Sequence, residues 1–234
     1  MSTPLLVDCF LYNDEVELLE LRLQLLDTVV DRFVIVASNE TFTGIAKAEA
    51  FPVNNPLVLG YSDRVDLIML DRLDGTTAWE KESFSRNAMS DRLQELSSSD
   101  LIMVSDIDEI PNPVILKKIK DEDRLQDSVV LELAYFNFKF NFKMFHGLQA
   151  IWAGPVISRG NIFESPQSMR DRRWSLMQDS ATSISSAGWH FSFLTKTGDI
   201  TAKLASFSHQ EKEIQEREMG AVSRPPRWSA PWWW

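Results

Sequence analysis

Three acids follow an apolar run in the middle of the chain, and their types and spacing suit metal binding. The run 101–105 predicts a buried strand, and Asp106, Asp108 and Glu109 come directly after it, before Pro111. Alternate side chains of an extended chain share a face, so Asp106 and Asp108 are expected to point the same way. Neighbouring carboxylates repel each other unless a divalent cation lies between or beside them. Such oxygen ligands suit Mg²⁺ or Mn²⁺ with a substrate phosphate, which indicates a metal-dependent enzyme acting on a phosphorylated substrate.

The same acids also fit a structural role, as a cluster that caps the helix expected after Asn112. Under the metal hypothesis a third ligand is needed, and imidazole is acceptable to Mn²⁺. His190, in an aromatic segment, is our choice for this ligand, and His209 is its competitor. His146 is an ordinary histidine on the sequence alone.

Phosphate recognition must come from a local site. The net charge is −10 with an isoelectric point near 4.8, which argues against nucleic-acid binding. The dinucleotide fingerprint and the P-loop are both absent from the sequence. A phosphate would therefore be held by a metal or by a few arginines. Arg86 and Asn87 are candidates on the predicted helix before the acid-bearing strand, although an exposed helical arginine is more often a solvated charge.

The elements that position these residues alternate between strand and helix in the first half of the chain. Predicted strands cover residues 5–11, 33–37, 65–70 and 101–105, and predicted helices cover 16–30, 79–96 and 113–120. This alternation predicts an α/β fold with a mostly parallel sheet flanked by helices. Ligands bind such sheets at the carboxyl ends of the strands, where Asn13, Asp106 and Asp108 lie.

The second half predicts a mixed extension of the same sheet. Residues 129–142, 151–159 and 188–195 are strand-like, and no linker separates them from the first half. We therefore predict one domain over 1–211 and a poorly ordered tail over 212–234 that is charged and then rich in proline and tryptophan. Its three terminal tryptophans could instead dock in an apolar groove or associate weakly with a membrane interface.

The cellular context follows from two further features. No run approaches the roughly 20 apolar residues of a transmembrane helix, and no signal-peptide pattern is present, so a cytoplasmic protein is expected. The single cysteine, Cys9, lies in an apolar run and is expected to be a buried structural thiol.

Several short motifs occur in an order that resembles a known family. They are Asp8-Cys9-Phe10, Tyr12-Asn13-Asp14-Glu15, Glu40-Thr41-Phe42-Thr43-Gly44, Arg86-Asn87, Ser105-Asp106-Ile107-Asp108-Glu109, Gly188-Trp189-His190-Phe191-Ser192 and Ser206-Phe207-Ser208-His209-Gln210-Glu211. Over about residues 5–211 they resemble glycosyltransferase family 17, the β-1,4-mannosyl-glycoprotein 4-β-N-acetylglucosaminyltransferases and their shorter bacterial and viral relatives. The resemblance ends at Glu211, after which the chain departs from the family pattern.

The resemblance implies a GT-A-like fold, a UDP-sugar donor, which we take to be UDP-N-acetylglucosamine, and inverting transfer to a glycan hydroxyl. A divalent metal held by Asp106, Asp108 and His190 would bridge the donor diphosphate. The residues implied for donor binding are Phe10, Asn13, Glu15, Arg86, Asn87 and Asp106. The acceptor proton needs a carboxylate base, for which Glu164 and Asp171 are both candidates. Trp152 and Trp174 could stack on sugar rings or serve in packing.

Two other functions stay open at this point. The first is a catalytically degenerate protein that binds carbohydrate or nucleotide-sugar. The second is a phosphohydrolase with an aspartate nucleophile, a class that usually carries its DxD on the first strand, whereas here it follows the fourth predicted strand.

Overall fold

One mixed sheet organises the protein. The computed structural model describes residues 4–122, 125, 127–137, 143, 151–160 and 163–192. The strands of this part are β1 Leu6–Leu11, β2 Arg32–Ser38, β3 Val65–Leu70, β4 Leu101–Asp106, β5 Glu109–Pro111, β6 Val129–Asn137, β7 Ile151–Arg159, β8 Ser183–Ile184 and β9 Gly188–Ser192. The helices are α1 Val16–Leu26, α2 Pro56–Leu59, α3 Ala78–Asn87, α4 Ser90–Leu93, α5 Pro113–Glu122, α6 Pro166–Asp171 and α7 Arg173–Met177.

The strand order separates a parallel half from a half that runs back across the sheet. The order is β3-β2-β1-β4-β7-β6-β9-β5, with β8 paired to β6. Strand β1 pairs in parallel with β2 and with β4, and β2 pairs in parallel with β3. Strand β7 then returns antiparallel to β4, and β6 antiparallel to β7. The predicted fold class, a mostly parallel mixed sheet flanked by helices, is confirmed.

Helices cover both faces of the sheet, and the alternation along each strand decides which face a residue joins. On β1, Leu6 and Phe10 pack with the apolar side of α1. Val7 and Cys9 belong to the opposite core, which includes residues of α4, α6 and α7. Burial raises the pKa of the Cys9 thiol, as expected for a structural cysteine.

Two predicted helices are shorter than their sequence pattern. Helix α1 ends at Leu26, although the apolar periodicity continues to Val30. The N–H groups of Val29 and Val30 both donate to the Leu26 carbonyl, so a turn buries these side chains without further helix. The predicted helix 79–96 is divided into α3 and α4 by a turn in which the buried Met89 donates to the Arg86 carbonyl.

Some predictions lie outside the described residues. These are His146, His209, the motif 206–211, the tail 212–234, and the ends of the predicted strands 129–142 and 188–195 beyond Asn137 and Ser192. Within the described residues, no helix has the length and apolar character needed to cross a membrane.

Candidate functional site

The site lies at the carboxyl ends of β1 and β4, where the order of the strands reverses. Parallel sheets bind ligands in the crevice at such a switch point. Asn13 follows β1, and Asp106 ends β4. Asp106 alternates with Ile102 and Val104 along β4, so it lies on the sheet face covered by α6 and α7.

Two buried arginines clamp the Asp106 carboxylate. Arg86 Nη2 of α3 donates to Oδ1 at 2.9 Å, and Arg170 Nη2 of α6 donates to Oδ2 at 2.5 Å. The Asp106 side chain is 37% exposed, whereas those of Arg86 and Arg170 are 2% and 3% exposed. Although burial opposes it, the guanidinium groups of Arg170 and Arg86 hold the pKa of the Asp106 carboxyl well below its usual range. Asp106 is therefore a partly exposed anion, and both of its carboxylate oxygens already accept hydrogen bonds.

Glu109 forms the buried floor of the cluster. Its side chain is fully buried and accepts hydrogen bonds from both terminal nitrogens of Arg170. Trp152 Nε1 donates to it at 2.5 Å and the Asp106 N–H at 3.2 Å. Burial alone would lower the pKa of Arg170, but the carboxylates of Asp106 and Glu109 raise it. The buried charges are thus paired and hydrogen-bonded, as burial requires.

Arg22 supports the segment after β4 from the opposite sheet face. It is fully buried on α1 and makes a two-nitrogen ion pair with Asp8 of β1, at 2.8 and 2.7 Å. Its Nη1 donates to the carbonyls of Asp106, Ile107 and Glu109 at 3.0, 3.2 and 2.8 Å. One side chain therefore holds the backbone that carries the three acids.

Asp108 lies beside His190. Strand β4 ends at Asp106, and Ile107 and Asp108 form a turn before β5. The spacing of an extended chain, which predicts a shared face for Asp106 and Asp108, therefore does not apply here. Asp108 Oδ1 instead lies 3.5 Å from His190 Nε2, and its carbonyl accepts the Phe191 N–H at 2.9 Å.

A glycine allows the backbones of β5 and β9 to lie close together. Gly188 opens β9 opposite Pro111 of β5, in the register that places His190 opposite Glu109. Its φ of +153° is rarely adopted by L side chains, and a Cβ there would lie 2.4 Å from the Ile110 carbonyl oxygen. The two backbones can meet this closely only because the side chain is missing.

The predicted metal ligands fit a divalent cation in part. A carboxylate oxygen and an imidazole nitrogen 3.5 Å apart have the chemistry and separation to share one Mn²⁺. Both oxygens of Asp106, in contrast, accept from arginines. Among the described residues, no group of three or more His, Cys, Asp and Glu side chains is arranged to hold a metal ion.

Aromatic rings form a wall beside this pair. The ring of Trp152 stacks on His190 with centroids 4.3 Å apart, and Tyr135 lies 5.0 Å from His190. Trp174 of α7 contacts Trp152 edge-on at 5.5 Å and is 43% exposed. Trp152 therefore serves in packing and in binding Glu109, while Trp174 presents a ring to solvent.

The residues predicted for the nucleotide separate into two groups. Phe10 is fully buried in the core, with the Arg22 guanidinium 4.6 Å above its ring, so it supports Arg22 and has no exposed surface. Asn13 is half-buried, and its N–H donates to the half-buried Glu15 side chain at 3.1 Å. Asn13 also borders a shallow, open depression at the ends of β1 and β2, with Ser38, Phe42, Lys47 and Ser85 among its other lining residues.

Gln167 of α6 connects the remaining predicted residues. Its backbone N–H donates to Oδ1 of the exposed Asn87, and its side-chain Nε2 donates to the exposed Asp171. Its Oε1 accepts a hydrogen bond from Arg86. Asp171 is thus connected to Asp106 by three hydrogen bonds, through Gln167 and Arg86. Glu164 is exposed in the loop before α6.

Sequence reasoning missed the arginines at α6 and α7. Arg170, Arg172 and Arg173 are three arginines within 4 residues, in a chain with 24 basic and 34 acidic residues. That local excess is a sequence signal of positive charge, and the structure places two of the three, Arg170 and Arg173, close to Asp106 and Glu109. Arg22 and Glu109 gave no such signal, because their roles depend on contacts between distant elements.

The comparison with solved structures supports the fold. Of these, 46 chains match, among them the crystal structure of a 4-diphosphocytidyl-2C-methyl-D-erythritol synthase. That match has a TM-score of 0.50 and 14% identity and covers 87% of this chain and 98% of the other. At this identity the likeness shows the fold alone, which is GT-A-like.

The family is shown by the sequence itself. The model of glycosyltransferase family 17 matches residues 2–224, so the chain belongs to this family and is a glycosyltransferase. The match continues past Glu211, where the motifs placed the end of the resemblance. No curated protein sequence matches the chain.

Proposed function

We propose that the protein transfers N-acetylglucosamine from UDP-N-acetylglucosamine to a glycan hydroxyl, with inversion at the sugar carbon. The observation that supports this proposal is the charged cluster at the switch point. There the arginine-clamped Asp106 lies two residues from Asp108, which pairs with His190. Family membership supplies the sugar donor and the acceptor as classes of substrate.

Asp108 and His190 are the residues that would hold a divalent cation. Such a cation, when bound, supplies positive charge that stabilises the leaving diphosphate. Asp106 keeps Arg86 and Arg170 in place around the opening, and Arg22 holds the turn that presents Asp108. The nucleoside would lie over the depression at the ends of β1 and β2, beside Asn13.

The acceptor side is formed by α6 and α7. The exposed ring of Trp174 offers a surface on which a sugar ring can stack. Glu164, just before α6, and Asp171, the last residue of α6, are both exposed and are the two candidates for the base that takes the acceptor proton. Membership in a glycosyltransferase family argues against the phosphohydrolase alternative.

Calorimetric titration of UDP-N-acetylglucosamine, with Mn²⁺ and then with a chelator, tests the proposal. We expect binding that depends on Mn²⁺, and its loss in Asp108→Ala. Asp63→Ala, which removes an exposed acid between α2 and β3, is the matched control and should bind as the unmodified protein does.

Three outcomes separate the alternatives. Donor binding followed by donor hydrolysis or transfer supports the enzyme. Binding with neither reaction would indicate the degenerate sugar-nucleotide-binding protein. Unchanged affinity in Asp108→Ala would exclude the metal-site assignment.

A further inference from the structure

The arginines of α6 and α7 differ in how far their charges are satisfied. Arg170 is paired with Asp106 and Glu109, and the half-exposed Arg172 lies 3.9 Å from Asp127. Arg173 forms no ion pair with any of the described residues. Its Nη1 donates to the Arg170 carbonyl at 3.0 Å, and its buried Nε has no hydrogen-bond partner in the described part of the chain.

Arg173 is nonetheless close to the charged cluster. The acids that attract it, Glu109 and Asp106, already accept from Arg170 and Arg86. Burial, together with repulsion from Arg170, lowers the pKa of Arg173 to about 10. A cation in this position gains stability when an anion from outside the chain binds beside it.

Arg86 is less suited to this task. It too has a buried Nε without a partner in the described residues, but its terminal nitrogens donate to Gln167, Glu82 and Asp106. Its side chain is 2% exposed, so it has almost no surface for a ligand. Arg173 is partly exposed, and its guanidinium lies 5.6 Å from the exposed Trp174 ring.

We propose that Arg173 binds the diphosphate of the donor, while Arg86 and Arg170 serve to hold Asp106. The planar guanidinium fits two oxygens of a phosphate at once, which a lysine ammonium cannot do. Because Trp174 follows Arg173, the diphosphate and the acceptor ring would be held by adjacent residues of α7. This inference rests on the proposed function, since it assigns the diphosphate site of the same donor.

Titration of uridine, UMP and UDP into the full-length protein at constant Mn²⁺ tests the assignment. Arg173→Gln should lower the affinity for UDP by about tenfold or more, the size of a charge-assisted contact. The affinity for uridine should not change. Arg172→Gln removes the neighbouring charge outside the cluster and should leave the affinities for all three ligands unchanged. Arg173→Lys should fall between the unmodified protein and Arg173→Gln, and it keeps the test valid if the glutamine variant does not fold.

Equal UDP affinity in Arg173→Gln and the unmodified protein would overturn the assignment while leaving the proposed function intact. An equal loss in Arg172→Gln would also overturn it, because the effect would then be one of general charge. If the unmodified protein binds neither uridine nor UDP, the proposed function itself fails, and this inference fails with it.

Discussion

Two arginines hold the segment after β4 from opposite faces of the sheet, and they hold different parts of it. Arg22 reaches from α1 and binds backbone carbonyls, including those of Asp106 and Glu109. Arg170 reaches from α6 and binds the side chains of the same two acids. One face therefore fixes where the chain runs, and the other fixes where its charges point.

The two faces also differ in how completely they are closed. Arg22 and Asp8 are both fully buried, and every nitrogen of the guanidinium donates a hydrogen bond. On the other face Asp106 is 37% exposed and Arg173 keeps an unpartnered Nε within the described residues. The closed arginine is therefore structural, whereas the open cluster leaves charged groups accessible to a ligand from outside the chain.

The largest effect is expected from opening the closed face. Arg22→Met leaves the buried Asp8 carboxylate without its partner, which should lower the free energy of unfolding by about 3–5 kcal/mol. Urea unfolding followed by circular dichroism measures this change. The double variant Asp8→Leu/Arg22→Met removes both charges and should recover part of the loss. A cost below about 1 kcal/mol for Arg22→Met would break the distinction between the two faces.

On the open face, the base should matter for chemistry and not for donor binding. Glu164→Gln and Asp171→Asn are each other's control, since both acids are exposed. The variant that removes the base should lose about 10²–10⁴-fold in kcat, with the affinity for UDP-N-acetylglucosamine unchanged. Transfer assays under donor saturation measure kcat. Full activity in both variants would place the base elsewhere.

A smaller effect is expected at the aromatic rim. Trp174→Ala removes a ring that is 43% exposed and should raise the acceptor KM by about fivefold, equivalent to about 1 kcal/mol of stacking, without changing the donor KM. Trp79→Ala on α3 is the matched control, because its side chain is 45% exposed. A change in both KM values would indicate repacking of the site and not a lost acceptor contact.

The smallest effect concerns the far end of α3, which carries Arg86 to the open cluster. Glu80 accepts hydrogen bonds from the Thr76 hydroxyl and from the N–H groups of Thr76 and Thr77, which lower the pKa of Glu80 to about 2. A carboxyl with a lowered pKa stabilises the fold above its unfolded value of about 4.5. This contribution should be lost as the pH falls from there toward 2.

Thermal unfolding between pH 6 and pH 2 compares the unmodified protein with Glu80→Gln. The unmodified protein should have the higher Tm at pH 6, and its advantage over Glu80→Gln should shrink toward pH 2. A difference that does not change with pH would show that the capping box does not depend on the charge of Glu80.

The hydrophobic pattern predicted the parallel strands and also β7. Strands β3 and β7 begin and end at the predicted residues, and β1, β2 and β4 differ from prediction by one residue at one or both ends. Strands β1, β2 and β4 are buried almost throughout on both faces, so their composition distinguishes them. Helix ends were predicted less well, because a turn can bury Val29 and Val30 as effectively as another helical turn.

The sequence by itself determined the α/β class, the position of the acids at the end of β4 and membership in family 17. These properties depend on composition, on the alternation of strands and helices, and on local motifs, all of which can be read from the sequence. Tertiary structure alone decided that Asp108 turns toward His190 and that Asp106 is clamped by Arg86 and Arg170. These contacts join residues that are far apart in the chain, and they depend on strand register and on which helix covers which face of the sheet.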